Sequence, residues 1–138
     1  MIGILLMSHG KMADGLLDTS KLFFGDDIEN IKAICLENGD DPEVFDERIV
    51  EGAKEIDDGS GVIALCDLLG GTPSNRSMFC LNERLQVITG MNLPMLLELL
   101  GERLSANDLN EVDIERIIDI GRTGIIDLND KVQKMKSN

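Results

Sequence analysis

The chain has 138 residues, the size of one domain that buries about two-thirds of its unfolded surface. Hydrophobic residues are 43% and charged residues 28%, a balance that excludes a disordered chain. Thirteen Lys and Arg against 26 Asp and Glu leave a formal charge of −13, which disfavours nucleic acid and anionic lipid as partners and favours a basic protein face.

Short apolar runs alternate with longer amphipathic stretches. Ile2 to Met7 reads as a strand buried on both faces. Lys11 to Phe24 reads as a helix with Met12, Leu16, Leu17, Phe23 and Phe24 on one face, stopped by Gly25. Ile31 to Leu36 is the second strand. Asp41-Pro42-Glu43 opens the next helix with a capping carboxylate, a first-turn proline and an acid at the positive dipole end. Phe45, Ile49, Ala53 and Ile56 line its apolar face. Gly61 to Cys66 is a third strand, followed by a glycine-rich turn and a short helix that starts at Thr72-Pro73 by the same cap-plus-proline logic. Leu85 to Thr89 is a fourth strand, and Pro94 sits just inside the helix after it, where Met91 to Leu100 reads as core. A polar break at Ser105–Asp108 precedes a last helix carrying Leu109, Val112, Ile117 and Ile118. Gly124 to Leu128 reads as a short fifth strand, and 131–138 as a frayed tail after a single domain, 1–130.

No apolar run is long enough to span a membrane, and no basic stretch precedes the first one, so neither a transmembrane helix nor a signal peptide is expected. Three cysteines without C-x-x-C spacing read as buried hydrophobes in a reducing, cytoplasmic setting. Neither a cofactor nor a metal site is indicated.

Strands separated by helices imply a doubly wound α/β domain. The alternation implies a mainly parallel four-stranded sheet with helices on both faces. Ligands in such folds sit beyond the carboxyl ends of the strands, where the strand order reverses. Ser8-His9-Gly10 follows the first strand, Asp67-Leu68-Leu69-Gly70-Gly71-Thr72-Pro73-Ser74-Asn75 the third, and Gly90-Met91-Asn92-Leu93-Pro94 the fourth. His9 is the only histidine. If the first and third strands are neighbours, Asp67 faces it, fixes its tautomer and makes the other ring nitrogen the nucleophile. Asp67 has a plainer reading as a turn cap, and Gly70-Gly71 as turn chemistry alone. A receiver domain would need an acidic pair after the first strand, where Ser8-His9 stands. A hydrolase would have to recruit Thr72 or Ser74 without a G-x-S-x-G elbow.

The three segments together resemble the enzyme IIA domain of the mannose family of the bacterial phosphoenolpyruvate-dependent sugar phosphotransferase system, over nearly the whole chain. The resemblance implies the sheet order 2-1-3-4 with a short fifth antiparallel strand, and a phosphotransferase in which His9 is phosphorylated and Asp67 orients it. Gly71 and Thr72 would hold the phosphoryl group, and Leu69, Pro73 and Asn92 would lie on the partner surface. It implies HPr as donor and a separate enzyme IIB as acceptor, contact with the membrane only through the IIC/IID permease, and a homodimer that exchanges the strand at Gly124–Leu128. Leu69 departs from the family, where an aromatic residue is common. The alternatives are a subunit of the phosphotransferase-dependent dihydroxyacetone kinase and a non-enzymatic regulatory binding module of the same fold.

Overall fold

The computed structural model describes residues 1–137. Strand β1 (Gly3–His9) is buried along every residue except His9, because its side chains alternate between two apolar layers. Ile4 and Leu6 point into the layer formed with helices α1 (Met12–Phe24), α4 (Leu93–Glu102) and α5 (Ile114–Thr123). Leu5 and Met7 point into the layer with α2 (Pro42–Ile56). Each fully buried Leu or Ile contributes about 1.5–3 kcal/mol.

The sheet has the order β2-β1-β3-β4, with β2 at Ile31–Leu36, β3 at Val62–Cys66 and β4 at Leu85–Thr89. All three pairings are parallel, as the expected order requires. The chain leaves β1 toward β2 and returns to β3 on the other side, so the switch point lies between β1 and β3. Beyond β4 the sheet has a free edge.

Caps decide the helix starts. Asp41 accepts the Glu43 N–H ahead of Pro42, and Asn92 Oδ1 accepts the Met95 N–H ahead of α4. The helix α3 (Thr72–Ser77) differs from its expected start: Gly71 is the N-cap, without a side-chain cap, and Thr72 is the first helical residue. Arg103, just past α4, is buried and donates to the carbonyls of Ile2, Glu29 and Asn30 at 2.9, 2.7 and 3.1 Å. It thereby ties α4 to the amino-terminal end of the sheet.

Two expectations are corrected, and the segment expected as an exchanged strand takes another form within the single chain. The buried face of α1 is Ala13 and Ser20 with partly buried Leu16 and Leu17, while Met12, Phe23 and Phe24 are exposed. Small residues at 13 and 20 let the helix approach the sheet, so the larger side chains turn outward. The last expected helix is two elements, a 3-10 turn at Leu109–Glu111 and then α5, because Asp113 caps a new start by accepting the Arg116 N–H. The fifth strand is absent from the described residues of this chain. Gly124 closes α5 in a right-handed conformation and Asp127 caps α6 (Leu128–Lys136), leaving only Ile125 and Ile126 between the two caps, both exposed. Helix α6 covers most of the segment expected to fray and buries none of its side chains. No helix among the described residues is long and apolar enough to cross a membrane.

Candidate functional site

The site is assembled at the switch point by two loops. β1 delivers His9 at its last position, and β3 is followed immediately by Asp67, whose N–H continues the ladder to the Met7 carbonyl at 3.1 Å. The register sets Met7 opposite Cys66, so the next residues of both strands emerge side by side.

One carboxylate oxygen, Asp67 Oδ2, receives both the His9 backbone N–H at 2.9 Å and the ring Nδ1 at 2.7 Å. The other, Oδ1, takes the Leu68 N–H at 2.9 Å. Burial raises the pKa of the Asp67 carboxyl, but the hydrogen bonds from the His9 backbone, the His9 ring and the Leu68 N–H outweigh it and hold it below the usual range. Asp67 is therefore an anion that can only accept, so the proton of a neutral His9 ring resides on Nδ1 and the lone pair on Nε2. The Asp67 side chain is 7% exposed and that of His9 45%: the carboxylate is sheltered and the ring reaches solvent. Cys66, beside it, is pushed up to about 12 by burial and the Asp67 charge, so it remains a thiol.

Gly71 lies against the far edge of the ring. A Cβ there would fall 2.4 Å from Cε1 and 2.9 Å from Nε2, closer than atoms pack. Only glycine allows the ring to occupy this place while keeping its bond to Asp67. Thr72 is half-buried in the same turn. Leu69 stands out from it, 78% exposed, and lines a groove of about 350 Å³ with Met78, Leu81 and Val87. The remaining residues expected on the partner surface are engaged in the fold. Pro73 is buried, and Asn92 caps α4 while donating through Nδ2 to the Gly121 carbonyl at 3.1 Å.

Two buried serines shape the loops without facing solvent. Ser8 Oγ accepts the Ala13 N–H and donates to the Gly10 carbonyl, at 2.8 and 3.0 Å. Ser74 Oγ accepts the Gly70 N–H and donates to the Gly71 carbonyl, at 2.9 and 3.1 Å. With its proton committed to Gly71, Ser74 does not form the serine–histidine pair that a hydrolase would need. The signal for both serines is their place next to a glycine turn, where hydroxyls close local hydrogen bonds.

A family model described as "PTS system fructose IIA component" matches residues 3–117. The chain belongs to the EIIA-man family. Among EIIA-man relatives, the PTS system fructose-specific EIIA component of Bacillus subtilis (strain 168) is 32% identical over 113 residues, 79% of this chain and 77% of that protein. The PTS system mannose-specific EIIAB component of Escherichia coli (strain K12) is 31% identical over 126 residues, covering 90% of this chain but 38% of the relative. Of the solved structures, phosphotransferase system component EIIA from Streptococcus agalactiae superposes with a TM-score of 0.83 at 27% identity, over 94% of this chain and 98% of that one. The protein is thus a component of a sugar phosphotransferase system, with phosphotransfer as its general role.

Proposed function

We propose that the chain is a phosphoryl carrier that accepts a phosphoryl group from phospho-HPr on Nε2 of His9 and passes it to a cognate enzyme IIB. The observation that carries the reading is the Nδ1–Asp67 contact of 2.7 Å, which leaves Nε2 as the free nucleophile on a half-exposed ring.

Transfer between two imidazoles is nearly thermoneutral, so positioning and charge balance are the main requirements. The Nε2 lone pair attacks phosphorus in line with the donor's P–N bond. That bond breaks as the new one forms, and the bonding pair returns to the donor ring. His9 becomes more positive as it attacks, and the ionised Asp67 offsets that charge at Nδ1–H without taking the proton. Backbone N–H groups near Gly71 and Thr72 would hold the phosphoryl oxygens. Leu69 and the groove beside it would receive the partner's apolar rim, and the acidic surface would steer a basic partner face toward the site. The carrier would work in the cytoplasm and meet the membrane only through its permease.

The carrier would act as a homodimer. β4 presents an unpaired edge, a liability that proteins normally cover. A groove of about 420 Å³ runs beside it, lined among others by Val87, Thr89, Met95, Ile118 and Ile125. The exposed Ile125-Ile126 segment of a second copy, paired with β4, would cover both. Light scattering at micromolar concentration should give twice the chain mass, and a monomer would reject the exchange.

The carrier reading is tested by incubation with phosphoenolpyruvate, enzyme I and HPr, followed by mapping. One acid-labile, alkali-stable phosphoryl group on His9 is expected, with none in His9→Ala. Labelling retained in His9→Ala would overturn it.

A further inference from the structure

Asp67 alone leaves the His9 ring one freedom, tilting about its single Nδ1 contact. Gly71 removes that freedom by backing the Cε1–Nε2 edge. What holds Gly71 in place is therefore part of the machinery that aims Nε2. Gly70 stands at a φ of +93°, and the turn it makes is spanned by one hydroxyl, that of Ser74. Ser74 is 3% exposed, so no water competes for its two bonds. Asn75 adds a second tie from outside, Nδ2 to the Gly70 carbonyl at 3.2 Å. The helix that carries both is itself fastened to α2, because Arg76 pairs with Asp46 through two hydrogen bonds, at 2.7 and 2.5 Å. The order of attachment is α2, α3, the Ser74 hydroxyl, the Gly71 backbone and then the ring.

We propose that Ser74 is a positioning residue for phosphoryl transfer: its hydroxyl clamps the Gly70–Gly71 turn so that Gly71 holds the His9 ring on Asp67 with Nε2 aimed outward. It acts through Gly71 and does not touch the ring or the phosphoryl group. The proposal rests on the carrier reading above. A displacement of 1 Å in such a geometry lowers a rate about 100-fold. Loss of the clamp gives the turn freedom on about that scale, so Ser74→Ala should slow transfer by about 10- to 100-fold.

The experiment compares wild type, Ser74→Ala, Asn75→Ala and Ser77→Ala. Ser77 is the control: it is as buried as Ser74 and on the same helix, but its hydroxyl donates only to the Ser74 carbonyl, at 2.7 Å. Two quantities are read on the full chain, the rate of His9 phosphorylation from phospho-HPr and, without any donor, the NMR cross-relaxation between His9 Hε1 and the Gly71 Hα protons. The expected result is slow transfer and a lost cross-peak in Ser74→Ala, a smaller change of the same kind in Asn75→Ala, and Ser77→Ala within about twofold of wild type. Wild-type rate and cross-peak in a folded Ser74→Ala overturn the proposal, as does an equal slowing in Ser77→Ala. If Ser74→Ala fails to give a cooperative melt, exposed Asn75→Ala decides, and an unchanged rate and cross-peak there refute the clamp. A wild-type chain that takes no phosphoryl group refutes the carrier reading instead, while the cross-peak still reports on the clamp.

Discussion

Replacing Gly71 by alanine should separate activity from stability. The added Cβ would lie 2.4 Å from His9 Cε1, whereas carbon atoms meet comfortably near ~3.5 Å. Held between Gly71 and Asp67, the ring must leave its place by about 1 Å, swinging toward solvent and off the 2.7 Å contact with Asp67. Such a displacement lowers the rate about 100-fold, or about 2.7 kcal/mol in the barrier. The fold should hardly register the change. Gly71 has φ −85° and ψ 170°, which alanine adopts freely, and the unfolded chain loses entropy worth ~0.4–1 kcal/mol in favour of folding. The ring is half-exposed and swings into solvent rather than distorting the core. Initial rates of His9 phosphorylation and a thermal melt should therefore show a protein far slower and no less stable. Wild-type transfer, or slow transfer accompanied by a large fall in Tm, would refute the account of Gly71 as the ring's backstop.

Asp67→Asn keeps the shape but loses the counter-charge and the fixed tautomer, so transfer should slow by ~10²-fold or more with the melt nearly unchanged; equal rates would reduce Asp67 to a turn cap. Arg103→Lys cannot reach all three carbonyls and strands at least one in the interior, so a loss of about 1–3 kcal/mol is expected in denaturant unfolding, with phosphorylation of the folded fraction unaffected. Burial raises the pKa of Asp57, but Arg84 and the N–H groups of Gly59 and Gly61 outweigh it and hold the carboxyl below its usual value. Its stabilisation is thus complete above the pKa of a free aspartate and lost as pH falls through the lowered one. Asp57→Asn should cost about 1 kcal/mol at pH 7, a difference that closes on acidification; a gap that persists at low pH would contradict the assignment.

The parallel sheet was legible in the strand–helix alternation, while its order and the His9–Asp67 pairing were legible through the strand-end motifs that resemble the family. The helix starts at Pro42 and Pro94 were legible for the same local reason. What sequence could not supply was relative weight. On α1, Phe23 and Phe24 outrank Ala13 in apolarity, but the closest approach to the sheet selects for small size, and Ala13 and Ser20 face inward. At 109–123 one apolar pattern conceals two elements, since the Asp113 cap restarts the helix. Ile125-Ile126 has the composition of a strand, but the Gly124 end of α5 and the Asp127 cap of α6 leave only two residues between them, too few to lie along the β4 edge of their own chain. The contact of Gly71 with the ring is invisible in sequence because it joins residues far apart in the chain through the absence of an atom.

The bond that defines the site joins residues 58 positions apart, and everything between them is the β1–α1–β2–α2–β3 crossover. Contacts of such range form only after the intervening chain has closed its loop. A ribosome-bound chain, or a proteolytic fragment ending before β3, therefore carries a histidine without its carboxylate. Such a species has no fixed tautomer and no backing for the ring, so on the proposed carrier reading it would be a poor phosphoryl acceptor. Acceptance would then report that the chain has folded at least through β3 and the turn after it, and fragments shorter than that should draw little from the donor pool.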